Sequence, residues 1–284
     1  MSAAATTHEA SVEKAAQLPE DARHALRDLI LALADSKRLL GIRYSDWMLG
    51  APTIEAGIAA SSMAQDEWGH GRLTYALLSD FDEEPKRLEH EREAAEYRSI
   101  ELLDRPLRSW SELIAVSLLL DSALTVQYGA LLESRYTPVH NRVQKLLDEE
   151  HFHFQYAAGW ARRMARVESL REELQREVER LLPAVLRWFG REDEEGARRL
   201  LEERLVREGP EGLRARFLER VAPVLAQAGL SDALAQQPEG EWSYGGDLEW
   251  AGWDERTRRA ERGGPDAETL ARVRGDKNRA LLLD

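Results

Sequence analysis

The chain contains no cysteine. That absence excludes disulfides, iron–sulfur clusters and thiolate zinc sites within it, so any redox chemistry must draw its electrons from another protein or a soluble donor. A basic excess is missing too: the formal charge of -13 at pH 7 argues against a nucleic-acid or acidic-membrane partner, since phosphate binding needs a basic face. No uninterrupted apolar stretch reaches about 18 residues, and the first twenty residues lack the apolar segment of a signal peptide. The expectation is a cytoplasmic chain without a membrane span. Strand signals are nearly absent, and neither a glycine-rich nucleotide loop nor a Ser-His-Asp order stands out.

What is present points to helices. A charged fraction of 32 % with abundant Leu, Ala, Glu and Arg reads as an all-α protein built from amphipathic segments. Bundle helices are expected over 21–48, 52–79, 109–134 and 138–166, with Thr137 as N-cap and Pro138 in the first turn of the last. Between them, 82–104 is so charged that it reads as a solvated connector helix. Flanking helices follow over 169–189, 194–206 and 210–228, and a last one over 265–283. The division expected is a flexible N-terminal arm, 1–20, a helical domain, 21–230, and a C-terminal extension, 231–284. That extension is rich in Gly and Trp; Trp242, Trp250 and Trp253 are expected to clamp onto the bundle or onto a partner.

Two Glu-x-x-His pairs carry the chemistry: Glu67/His70 and Glu150/His153. Spacing i, i+3 puts carboxylate and imidazole on one helix face, so both can reach one cation. Asp121 lies inside the apolar run from Leu113 to Leu124, where an ionised carboxylate costs several kcal/mol unless a partner or metal compensates. If the chain turns at Thr137, Asp121 lies 16 residues before the turn and His153 16 after it, with Glu150 13 after, so all three meet at one level. Such a constellation is the signature of a dinuclear metal site in a four-helix bundle, which usually takes one carboxylate from each of the other two helices. Reflecting Glu67 and His70 through a turn near Ala51 brings Asp35 to that level, whereas Asp46 falls near the turn. Lys37 reaches the metal level as well, so a metal-free ion cluster stands as the alternative to ligation. Gln65, Asp66, Gln127 and Glu149 are candidates to orient the ligands. His24, His140 and His151 read as solvated or structural, and Trp68, Trp110 and Trp160 as core rather than electron relays.

The run Gln65-Asp66-Glu67-Trp68-Gly69-His70-Gly71 resembles the Asp-Glu-x-Gly-His-Gly motif of the catalytic subunit of bacterial phenylacetyl-CoA epoxidase. Glu149-Glu150-His151-Phe152-His153 is similar to that subunit's Glu-Glu-x-Phe-His, and Asp121 matches its lone aspartate on the third bundle helix. The segments 34–47 and 153–160 look more like the sister structural subunit, and the family's first-helix Glu falls on Lys37. The resemblance covers about residues 22–189. It implies a ferritin-like fold, two iron ions (manganese being the alternative) held by Glu67, His70, Asp121, Glu150 and His153 with Asp35, and oxygen insertion into an aromatic acyl-CoA. It also implies a homo- or hetero-oligomer with a sister ferritin-like subunit, and a separate flavin/iron–sulfur reductase as electron source. Two other readings stay beside the oxygenase component: a non-catalytic structural partner subunit, and a ferritin-like metal oxidase.

Overall fold

The computed structural model describes residues 11–276, and nine α-helices and one small hairpin lie among them. The helices are α1 (Glu20–Asp46), α2 (Ile54–Leu77), α3 (Pro85–His90), α4 (Trp110–Ala130), α5 (Thr137–Met164), α6 (Glu168–Trp188), α7 (Glu195–Glu202), α8 (Pro210–Gln227) and α9 (Ala267–Arg274). Strands β1 (Leu234–Gln236) and β2 (Trp242–Tyr244) pair antiparallel, a short feature the sparse strand signals did not announce.

Helices α1, α2, α4 and α5 form the bundle. Facing pairs set their directions: Asp35 meets Tyr75, His70 meets Glu149 while His153 meets Asp66, and Lys37 and Tyr44 meet Asp121 and Ser117. Taking α1 as up, α2 and α4 run down and α5 up. The segment 78–109 is therefore a long crossover between two parallel helices, and α4–α5 is a hairpin, the connectivity of a ferritin-like bundle.

Local chemistry explains the boundaries. Thr53 accepts a hydrogen bond from Ala56 N at the start of α2, and Ser109 one from Glu112 N at the start of α4. At α5 the cap differs from expectation: Tyr136 is the N-cap with no side-chain bond, and Thr137 Oγ1 reaches Glu13 Oε1 at 2.9 Å instead. Helix α4 is long and apolar enough to cross a membrane by length and composition, a point the count of uninterrupted apolar residues missed. Its apolar window is 94 % buried inside the bundle, so it is a core helix. Close approach of α1 and α2 depends on Gly41 and Gly71: a Cβ at Gly41 would sit 2.5 Å from the Trp68 ring, and one at Gly71 3.3 Å from Arg38 N. Gly69, by contrast, faces open space.

The crossover is not a solvated connector helix. Over 82–104 only α3 and two single 3-10 turns form, and Leu88, Arg92, Tyr97, Ile100 and Leu103 are buried. Charge density misled because Arg92 finds a buried carboxylate as partner rather than water.

Both ends of the described segment also dock. Within the arm expected to be loose, residues 1–10 lie outside the described residues. From Val12 onward the backbone bridges to α5, with Val12 N donating to Arg135 O (2.7 Å) and Thr137 N to Val12 O (2.9 Å). The C-terminal segment folds back over α1 and the crossover through Arg259–Asp104, Arg43–Thr269 (2.6 Å) and Arg272–Asp46. Trp242 packs against the core, while Trp253 Nε1 donates to Glu194 (2.6 Å) and stacks edge-on with Trp250. Residues 277–283 of the expected last helix lie outside the described residues.

Candidate metal centre

Five residues proposed as ligands meet in the bundle centre. Glu67 and His70 come from one face of α2, Glu150 and His153 from one face of α5, and Asp121 from α4; all are buried. Ligand atoms of Glu67, Asp121, Glu150 and His153 lie within 4.8 Å of one another. His70 joins them through Nδ1, 3.0 Å from Glu150 Oε1.

Lys37 enters from α1 with no exposed surface. Its Nζ lies 2.5 Å from Glu150 Oε1, 2.7 Å from Asp121 Oδ1 and 3.1 Å from Glu67 Oε1. One ammonium thus serves three carboxylates. Tyr44, seven residues further along the same face of α1, brings its hydroxyl within 2.8 Å of Ser117 Oγ and 3.1 Å of Asp121 Oδ2. Sequence reasoning missed Tyr44, although its spacing from Lys37 places both on one face. Thr125 Oγ1 adds a contact to Glu150 Oε2 at 3.2 Å.

The two imidazoles are arranged alike. His70 Nε2 faces Glu149 Oε2 at 2.7 Å and His153 Nε2 faces Asp66 Oδ2 at 3.2 Å, so each outer nitrogen is tied to a partly exposed carboxylate. Each Nδ1 points inward, His153 Nδ1 lying 3.2 Å from Glu67 Oε1 and 3.4 Å from Asp121 Oδ2. Of the four residues expected to orient the ligands, Asp66 and Glu149 bond the two histidines. Gln127 bonds Arg258 instead (3.1 Å), and Gln65 is exposed.

Asp35 is not among the residues brought together. It is completely buried, yet Arg92 grips both its oxygens, Tyr75 OH donates to it at 2.5 Å and Arg98 N at 2.8 Å. Reflection through the α1–α2 turn found its level correctly but not its direction: two residues along a helix rotate a side chain by about 200°. Lys37 faces the bundle axis, so Asp35 faces the crossover. Asp46 lies near the turn as expected, paired with Arg43 and Arg272.

The charges constrain one another. Burial opposes the Lys37 charge, but Asp121, Glu150 and Glu67 together hold its pKa well above the ordinary value. Burial and the neighbouring Asp121 carboxylate raise Glu67 to about 7. Asp121 is held well below the usual range: desolvation works against ionisation there, and Lys37 and His153 overcome it. Burial likewise opposes protonation of His153, yet its contacts with Asp121 and Glu67 push it up to about 12.

Does this donor set fit a metal? Glu67 Oε2 and both inward Nδ1 atoms are buried without a well-directed hydrogen bond, and these atoms converge with the carboxylate oxygens of Asp121 and Glu150. Carboxylate oxygen with imidazole nitrogen suits iron, manganese or zinc, and an imidazole whose other nitrogen is tied to a carboxylate is the usual form of a metal-ligating histidine. The cluster is geometrically suited to hold a pair of metal ions, with the Lys37 ammonium standing where one of their charges would be needed.

Comparison with known proteins agrees with this geometry. The family model described as "Phenylacetic acid catabolic protein" matches residues 1–262. The chain belongs to that family. Among solved structures it is similar to a point mutant of an R2-like ligand-binding oxidase with an aerobically reconstituted Mn/Fe cofactor. The TM-score is 0.55 at 14 % sequence identity, over 75 % of this chain and 83 % of that one. At that identity the likeness speaks for the ferritin-like fold alone. No curated protein matches the chain.

Proposed function

We propose that this family member is the oxygenase component of a multicomponent di-iron enzyme acting on an aromatic acyl-CoA, phenylacetyl-CoA being the substrate the family resemblance suggests. The observation that carries the reading is the matched pair of histidines, each with Nε2 tied to a surface carboxylate and Nδ1 turned onto the buried carboxylates. Glu67, His70, Asp121, Glu150 and His153 would hold the two irons, which when bound would supply reductive activation of dioxygen and transfer of one oxygen atom to the substrate ring.

The chain's own residues do the rest. Burial of the carboxylates excludes bulk water, while Asp66 and Glu149 orient the imidazoles and hold their Nε2 protons. Lys37 neutralises the carboxylates of the metal-free protein and must withdraw from at least one of them to admit a cation. With no cysteine in the chain, electrons come from a separate reductase of the flavin/iron–sulfur class, and a sister ferritin-like subunit completes the oligomer. The site of action is cytoplasmic. Purified protein given anaerobic Fe(II) is expected to retain two irons per chain; less than one, unrestored by further iron, overturns the reading.

Lys37 favours a second reading. An ammonium 2.5–3.1 Å from three carboxylates already supplies a cation, which suits a non-catalytic partner subunit that buttresses a more complete homologue. Under that reading the natural chain stays free of iron while Lys37→Glu takes it up.

A further inference from the structure

We propose that Trp47, Trp110 and Trp160 form a one-electron conduit between the buried cluster and the protein surface. Their rings follow one another edge-to-face, with centroids 5.9 Å apart from Trp47 to Trp110 and 5.2 Å from Trp110 to Trp160; Tyr156 stands 6.4 Å beyond. Three helical segments contribute them: the end of α1, the start of α4 and the last third of α5.

The inner end reaches toward the cluster by way of Tyr44. Trp47, the C-cap of α1, follows Tyr44 by three residues, and its backbone N–H donates to Tyr44 O at 3.1 Å. Tyr44 in turn lies 3.1 Å from Asp121 Oδ2, with its ring 6.2 Å from that of His153. At the outer end, Tyr156, Trp160 and Arg163 wall an open cleft of about 630 Å³ together with Thr53 and Glu55. Trp68 lies off this line, against Gly41.

Packing alone does not call for an indole at the centre of the row. Trp110 Nε1 is buried without a hydrogen-bond partner among the described residues, an expense that a Phe or Leu filling the same space would avoid. With no base at that nitrogen, a ring that gives up an electron keeps its proton, and the hole travels as an indole radical cation. The Arg163 guanidinium, 5.0 Å from the Trp160 ring centre, disfavours positive charge at the mouth and so keeps the hole from resting there.

The direction of use rests on the oxygenase reading. On that reading Trp47 would give one electron to the loaded site when an oxidising equivalent is left there without substrate. Trp110 refills Trp47, Trp160 refills Trp110, and a water-soluble one-electron reductant in the cleft refills Trp160. One electron leaves the reductant and one reaches the site; no bond breaks and no proton moves within the chain.

The test uses the full chain in chelator, free of metal. Because there is no native cysteine, Gly159→Cys provides a unique thiol beside Trp160, at a position where an added Cβ meets nothing within 4 Å. A ruthenium polypyridyl label there, flash-oxidised with a cobalt(III) ammine as irreversible acceptor, injects a hole at Trp160. Indole radical absorption is followed in time, and oxidised residues are mapped by peptide mass spectrometry. The expected result is oxidation at Trp160, Trp110 and Trp47, with Trp110→Phe lowering the Trp47 yield at least fivefold and Trp68→Phe leaving it unchanged. Oxidation confined to Trp160, or a Trp47 yield indifferent to Trp110→Phe, overturns the proposal. Should Trp110→Phe not fold, Trp160→Phe at the outer end must produce the same loss at Trp47. Failure of iron loading with a working conduit removes the source of the hole but not the path, so the two readings fail separately.

Discussion

Two buried ionic clusters sit two residues apart on α1, and they are built in opposite ways. Around Asp35 every strong acceptor direction is filled by a donor of fixed geometry: the Arg92 fork, Tyr75 OH and the Arg98 backbone N–H. Around Lys37 a single flexible ammonium is shared among three carboxylates, and both inward imidazole nitrogens lack a directed bond. The first cluster is closed and ties the crossover to the bundle. The second is neutralised but not saturated, so a cation can exchange into it. Both clusters are buried and both are ionic; what separates structure from chemistry is whether the donors are rigid and complete.

The sharpest way to break the comparison is Asp35→Asn. It strands the Arg92 guanidinium in the interior and is expected to destabilise the protein by about 3–5 kcal/mol in urea unfolding, with no change in metal bound per folded chain. Lys37→Met should do the reverse. In chelator it loses about 3 kcal/mol because the carboxylates lose their counter-charge, and saturating Mn(II) or Fe(II) should restore the loss, read as a melting temperature that depends on metal far more than in the natural chain. Equal metal dependence of the two variants would erase the distinction between the clusters.

Smaller changes sharpen it. Asp66→Asn and Glu149→Gln release the outer nitrogens of His153 and His70 and should each lower metal affinity about 10- to 100-fold in a competition titration, while barely moving the stability of the metal-free form. The pH response is a separate test. Glu67 and His153 both hold protons more tightly folded than unfolded, at about 7 and about 12. Their contribution is complete below the unfolded values and declines as pH rises through the folded ones. Between about pH 5 and 8 the metal-free protein should therefore lose stability from these groups, whereas metal-loaded protein, whose ligands carry no protons, should not. Melting curves at several pH values, with and without metal, check this.

Much of the site was legible because its signals are local. A carboxylate and an imidazole at i, i+3 share a helix face in any helix, and an aspartate inside an apolar run has to find a partner. Residue counts about the α4–α5 turn brought Asp121, Glu150 and His153 to one level, as the structure shows them. The same counting failed for Asp35, since level follows from counting but azimuth depends on how α1 is rotated against its neighbours. The crossover failed for a related reason: whether Arg92 meets water or a carboxylate depends on a residue 57 positions away. Trp110 and Trp160, read singly as core, became a row only when three helical segments placed them edge to edge.

By itself the sequence determined the bundle helices and the kinds of ligand atom available, because these follow from periodicity, caps and composition within a few turns of chain. Only the tertiary structure decided which charge partners which. Lys37 rather than Asp35 completes the centre, and Asp66 and Glu149 rather than Gln65 and Gln127 hold the histidines. The physical reason is that an ion pair in a low-dielectric interior is settled over a few ångströms and a few tens of degrees, and those quantities are set by the packing of whole helices.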